Sequence, residues 1–254
     1  MPEAILDFNT SCDILDNLVK THTLTPEERA KVDIFSQNRG GVGSRGYGEN
    51  SLGYEIAWWV HPERYHKEMQ FLLSYFSLEG KKNILSIGCG PAFHEIALAC
   101  AFPNLNILAT DLDKREIATA QKIALNAKVS DNITFKSGDA LSITSAHSSS
   151  KFDQIISFAT LHDVPQLELF LESIAQGLSS DGLFLFSYNP FRLQSQFSEI
   201  ESLERLLDKH FTIKDSVVLT SEKDSLAYYG EIAQISQEKR GYPLVWNGMV
   251  VKLK

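Results

Sequence analysis

Two glycines one residue apart, Gly88-Cys89-Gly90, followed by Pro91 and Ala92, close an apolar run, Asn83-Ile84-Leu85-Ser86-Ile87. Without a Cβ, glycine at such a turn lets a ligand come close to the main chain. A helix-compatible run from Phe93 to Ala101 follows, and a second apolar run, Asn106 to Ala109, ends at Thr110-Asp111. An acid at the tip of that second strand is placed to accept hydrogen bonds from ribose hydroxyls. Strand, glycine turn, helix, strand and acid predict the first unit of a nucleotide-binding α/β sheet. The spacing narrows the ligand. A dinucleotide fingerprint, Gly-x-Gly-x-x-Gly, needs glycine at position 93, where this chain has Phe93. A lone Gly-x-Gly is weak evidence, so the surrounding elements have to agree.

They do agree over residues 81 to about 190. A helix is predicted over Lys114 to Ala127 and a short strand over Asn132 to Lys136, ending at Ser137-Gly138-Asp139-Ala140. The serine-rich stretch Ser142 to Ser150 reads as a surface connection. Phe152 to Phe158 reads as a buried fourth strand, and Pro165 opens a helix striped by Leu167, Phe170, Leu171, Ile174 and Leu178. Ser180-Asp181-Gly182 turns the chain into a fifth strand, Leu183 to Tyr188. Carboxyl ends of parallel strands face the ligand crevice, so His162, just past the fourth strand, is placed to reach a substrate. Histidine takes a proton near neutral pH. Beyond these, a helix around Phe197 to Lys209 leads to a strand, Phe211 to Leu219, then a turn at Ser221 to Asp224 and a returning strand, Leu226 to Ile235. A short turn makes such a pair antiparallel.

The loop Gly88-Cys89-Gly90-Pro91-Ala92 resembles the Gly-x-Gly-x-Gly motif of class I S-adenosylmethionine-dependent methyltransferases, small-molecule type, with Ala92 at the third glycine. The antiparallel hairpin that finishes the parallel sheet is similar to the same family. The resemblance implies a Rossmann-like, seven-stranded, mostly parallel α/β sheet with an antiparallel C-terminal hairpin, helices on both faces and an N-terminal helical cap. It implies S-adenosyl-L-methionine as cofactor. Gly88, Cys89, Gly90 and Pro91 would lie against its methionine part, Asp111 would hold the ribose, and Leu112 would pack on adenine. Gly138-Asp139-Ala140 is similar to the Gly-Asp-Ala segment after the family's third strand, which implies that Asp139 faces the adenine amino group and that Ala140 beside it belongs to the cofactor site. Leu161-His162-Asp163 resembles a Leu-His-His stretch, which makes His162 the candidate catalytic residue; a part in shaping the pocket is the other reading. Asp163 is placed to cap the next helix. Many members carry an acid two positions before the first glycine, where this chain has Ser86. Ala92 is expected to take an ordinary backbone angle. The expected activity is methyl transfer to a small-molecule or peptidyl acceptor. Alternatives are an inactive cofactor-binding protein of the same fold, an NAD(P)-dependent oxidoreductase and a nucleic-acid methyltransferase.

The rest of the chain bounds these readings. Its 254 residues suit a cap over residues 1–80 and a catalytic domain over 81–254. In the first part, Asp13 to Lys20, Pro26 to Phe35 and Pro62 to Phe76 look helical. Arg39 to Gly53 holds six glycines and reads as a mobile segment and candidate lid. A formal net charge of −8 disfavours general affinity for nucleic acid. Cys12, Cys89 and Cys100 have no metal-ligand spacing, so no metal is expected and a reducing cytoplasm fits. No apolar run approaches membrane-spanning length, and no secretory signal is visible at Met1-Pro2-Glu3. Asn189-Pro190-Phe191-Arg192 falls one strand too late to match the Asn-Pro-Pro-Tyr motif of amino-methylating enzymes, although Tyr188 to Arg192 is expected near the substrate mouth.

Overall fold

Short apolar runs with side chains alternating between two faces build a sheet that packs helices against both of its faces. In the computed structural model, which describes residues 62–76, 82–146, 151–194, 202–224 and 245–254, seven strands form one sheet. The strands are β1 (Lys82–Ile87), β2 (Leu105–Asp111), β3 (Ile133–Ser137), β4 (Phe152–Ser157), β5 (Leu178–Tyr188), β6 (Phe211–Thr220) and β7 (Trp246–Leu253). Their spatial order is β3-β2-β1-β4-β5-β7-β6. β7 alone runs against its neighbours, pairing antiparallel with both β5 and β6. The expected Rossmann-like α/β fold is therefore present.

Alternation splits the core in two. Ile84, Ile156, Leu185 and Val250 point into a cluster with α1 (Pro62–Ser74), α2 (Phe93–Ala101) and α3 (Lys114–Asn126). Leu85, Ile155, Phe184, Phe186 and Val251 point to the opposite face, against α4 (Ala140–Ala146), α5 (Leu167–Gly177) and α7 (Leu203–Leu207). A short α6 (Pro190–Gln194) completes the helices of the described residues. The chain builds outward from β1 through β2 to β3, then returns to the other side of β1 as β4. That reversal opens a crevice beyond the carboxyl ends of β1 and β4, the place where open α/β sheets bind ligands.

Several local expectations need revising. Among the described residues β6 pairs with β7, after a connection through residues 221–245; the expected partner, Leu226 to Ile235, lies outside the described residues. The antiparallel pair exists, but no tight turn makes it. Ser142 to Ser150 is not all loop, because α4 runs to Ala146: Ser142 N donates to Asp139 Oδ1 at 2.9 Å, and Ile143 is buried in the core. Ser180-Asp181-Gly182 stays within β5 as an irregularity between the Phe152–Leu178 and Gln154–Leu183 pairings. Helix α1 forms where the sequence places it, with Met69 and Leu72 fully buried. The remaining elements expected in residues 1–61, and the glycine-rich segment with them, lie outside the described residues.

Candidate active site

Ser86 and Ile87 end β1, and the chain turns through a left-handed conformation three times: φ is 72° at Gly88, 54° at Gly90 and 59° at Ala92. Ala92 is therefore not in an ordinary conformation. It has the left-handed backbone of the glycine it replaces and costs about 1–2 kcal/mol for keeping its Cβ. Gly88 is bound more strictly, since a Cβ there would lie 2.0 Å from Thr160 Oγ1. Gly88 N and Cys89 N both donate to Thr110 O, at 2.8 and 2.9 Å, which ties the loop to β2.

At the tip of β2, Asp111 fixes the loop from its other side. Its Oδ2 accepts from Gly90 N and its Oδ1 from Asp113 N, both at 2.8 Å. Burial pushes its carboxyl above the usual range, and those backbone donors pull it back. Each oxygen keeps lone-pair capacity for a further donor. Leu112, next in the chain, is 54% exposed and lines the same cavity, an apolar surface a flat ring would cover.

The cavity has a volume of about 560 Å³. The glycine loop, Asp111 and Leu112 form one side, Gly138 to Leu141 another, and Phe158 to Thr160 with Asp163 to Gln166 a third. Glu68, His94 and Glu95 also line it. Glu68 comes from α1, is fully buried, accepts from Ser187 Oγ at 2.8 Å and lies 3.7 Å from His94 Nε2. Glu95, in the first turn of α2, is 3% exposed and accepts from Ser86 Oγ at 2.5 Å. Burial pushes its carboxyl up to about 7, and the charges of Asp111 and Glu68 push the same way. Burial and the carboxylates of Glu95, Asp111 and Glu116 also push the Cys89 thiol well up, so it stays protonated. No lysine or arginine lines the cavity among the described residues, so it suits a ligand carrying positive charge.

Residues 78–246 match the methyltransferase domain family. The chain belongs to that family. Two curated relatives are malonyl-acyl-carrier-protein O-methyltransferases, 33% identical in Bacillus cereus and 30% in Bacillus anthracis, each over 128 residues that make up 50% of this chain and 45% of theirs. The chain thus spans about half the length of the curated relatives it matches. Among solved structures, a Galdieria sulphuraria protein provisionally assigned as a sarcosine dimethylglycine methyltransferase aligns at TM-score 0.60 and 14% identity, covering 90% of this chain and 98% of its own. The cyclase SpnF aligns at TM-score 0.60 and 16% identity, covering 88% and 92%. At such identities the likeness is one of fold.

In this methyltransferase-domain chain, the structure brings Gly88, Cys89, Gly90, Pro91, Asp111, Leu112, Asp139 and Ala140 to one cavity. Asp139 is exposed and its carboxylate accepts from the Ser142 backbone and hydroxyl, which holds it below the usual range. His162 is not among the lining residues. It is 3% exposed, with its ring 5.4 Å from that of Trp246. Asp163 lines the cavity but pairs with Arg192 instead of capping α5, whose N-cap, Gln166, makes no side-chain cap. Asn189 caps α6, accepting from Phe191 N and Arg192 N at 3.0 Å each, and Tyr188 to Arg192 is not among the residues lining this cavity.

Sequence reasoning missed Glu68, His94 and Glu95. A signal for two of them was present: His94-Glu95 interrupts an otherwise apolar run, and every residue from Phe93 to Ala99 is buried. Charged side chains rarely go fully inside unless something needs them there.

Proposed function

We propose that this protein transfers a methyl group from S-adenosyl-L-methionine to a small-molecule or peptidyl acceptor. The observation that carries the reading is the pairing of a glycine loop hydrogen-bonded to the Asp111 carboxylate with a cavity whose charged walls are acidic. Asp111 has acceptor capacity left for ribose hydroxyls, and Leu112 offers an apolar face to adenine. NAD fits less well, because its two phosphate charges would meet Glu68, Glu95 and Asp111 with no lysine or arginine among the described lining residues.

When bound, the cofactor supplies an electrophilic methyl carbon on a sulfonium, and transfer leaves S-adenosylhomocysteine. The chain's own work is alignment and exclusion of water. Gly90 lets the ligand reach the backbone, Gly88 makes room for the Thr160 side chain beside the loop, and Asp111 fixes the sugar. An acceptor that must lose a proton would meet His94, the imidazole on the cavity wall, with Glu68 behind it. The relatives named O-methyltransferases support an oxygen acceptor. No described helix is long and apolar enough to cross a membrane, and the free thiols Cys89 and Cys100 suit a cytoplasmic setting.

Thermal shift with S-adenosylmethionine, S-adenosylhomocysteine and NAD tests the reading. Stabilisation by the first two is expected. Stabilisation by NAD alone would overturn it.

A further inference from the structure

Glu95 is a carboxylate with half of its hydrogen bonding arranged. Oε1 accepts from Ser86 Oγ at 2.5 Å, whereas Oε2 is buried and has no hydrogen-bond partner among the described residues. The side chain lines the cavity and is 3% exposed. Burying a carboxylate is expensive, and leaving one of its oxygens without a donor adds to the cost. Packing alone does not call for an acid here, since the same helix buries Phe93, Ile96, Ala97 and Leu98 around it. The first turn of α2, where backbone N–H groups are unsatisfied, favours negative charge. Ser86 fixes the carboxylate's direction from the last turn of β1, two residues before the glycine loop. These features describe a receptor waiting for a donor that comes with the ligand.

We propose that Glu95, oriented by Ser86, is the carboxylate that binds the cationic amino-acid end of the cofactor. This rests on the cofactor reading above. The acid that Ser86 lacks at its own position is supplied from α2, nine residues further along, and Ser86 is its positioning residue. Glu68 is a further acid lining the same cavity, which makes the cavity as a whole a site for a cation.

Calorimetry on the full chain tests this with two ligands. S-adenosylmethionine carries the ammonium and sulfonium; 5′-methylthioadenosine keeps the nucleoside and sulfur but has neither charge. Glu95→Gln keeps the size of the side chain and an acceptor for Ser86. It should weaken S-adenosylmethionine about tenfold or more and leave methylthioadenosine within about twofold, tenfold being the loss of about 1.4 kcal/mol. Adding Ser86→Asp to Glu95→Gln should restore most of the lost affinity. Should Glu95→Gln fail to fold by circular dichroism, Ser86→Ala takes its place, leaving the acid charged but unanchored, and should shift the ratio of the two affinities in the same direction. An unchanged ratio in the folded variant overturns the assignment and leaves cofactor binding standing. A wild-type chain that binds neither adenosyl ligand overturns the parent reading instead.

Discussion

The two carboxylates that flank the glycine loop are held in opposite ways. Asp111 is satisfied before any ligand arrives, with a backbone N–H on each oxygen. Glu95 is left half satisfied, with one hydroxyl on one oxygen. Burial raises both carboxyls, but only at Glu95 does it carry the group to about 7. The Asp111 end is preorganised by the loop itself. The Glu95 end stores unfavourable free energy that a cationic ligand would relieve. A site built this way gains affinity at one end from rigidity and at the other from need.

The largest expected effect strikes the element the two ends share. Gly88→Ala should destabilise the fold by about 2–5 kcal/mol, the sum of a left-handed alanine and overlap with Thr160. Chemical denaturation reads this directly. Ala92 shows that the conformation alone is tolerated, so a loss at Gly88 near 1 kcal/mol would mean that Thr160 moves aside freely.

Glu95→Gln should sharpen the contrast without any ligand. The native Glu95 holds its proton up to about 7, against 4.5 ordinarily, so between those values the folded chain binds more protons than the unfolded one. Wild-type stability therefore falls as pH rises from 4.5 to 7, by about 3 kcal/mol at full strength. Glutamine has no such loss. The ligand-free variant should match wild type at pH 5 and exceed its Tm at pH 8. Equal Tm values at both pH values would show that Glu95 is not strained.

His94→Ala should lower turnover of the acceptor about 100-fold, while His162→Ala should act through stability and leave turnover of the folded fraction unchanged. Steady-state kinetics at matched folded concentration separates them, and the reverse pattern would return the catalytic role to His162. The smallest effect is expected at Ala92→Gly, within about 1 kcal/mol of wild type, because relief of left-handed strain is offset by the entropy of a freer unfolded chain.

The Asp111 end was legible in the sequence because its grammar is local. Strand, glycines, helix, strand and acid follow one another within 83–111, and each supports the next. The Glu95 end was hidden, since an acid in a helix usually faces water and only tertiary burial of α2 on every side reveals otherwise. Glu68 was further out of reach, arriving from α1 across a pairing with Ser187 that no spacing announces. His162 follows its strand as expected, but the short helical turn Leu161–Asp163 rotates it against Trp246, a residue of β7 far along the chain. β7 itself was missed because Leu226 to Ile235 follows β6 sooner in the chain and reads as its partner, whereas pairing between distant runs leaves no local pattern.

One titration bears on the whole account: calorimetry of S-adenosylmethionine into wild type and Asp111→Ala, with folding confirmed by circular dichroism. Loss of two charge-assisted hydrogen bonds to the ribose predicts affinity weakened by about 100-fold or beyond detection. Affinity within about threefold of wild type would contradict the claim that this carboxylate grips the cofactor.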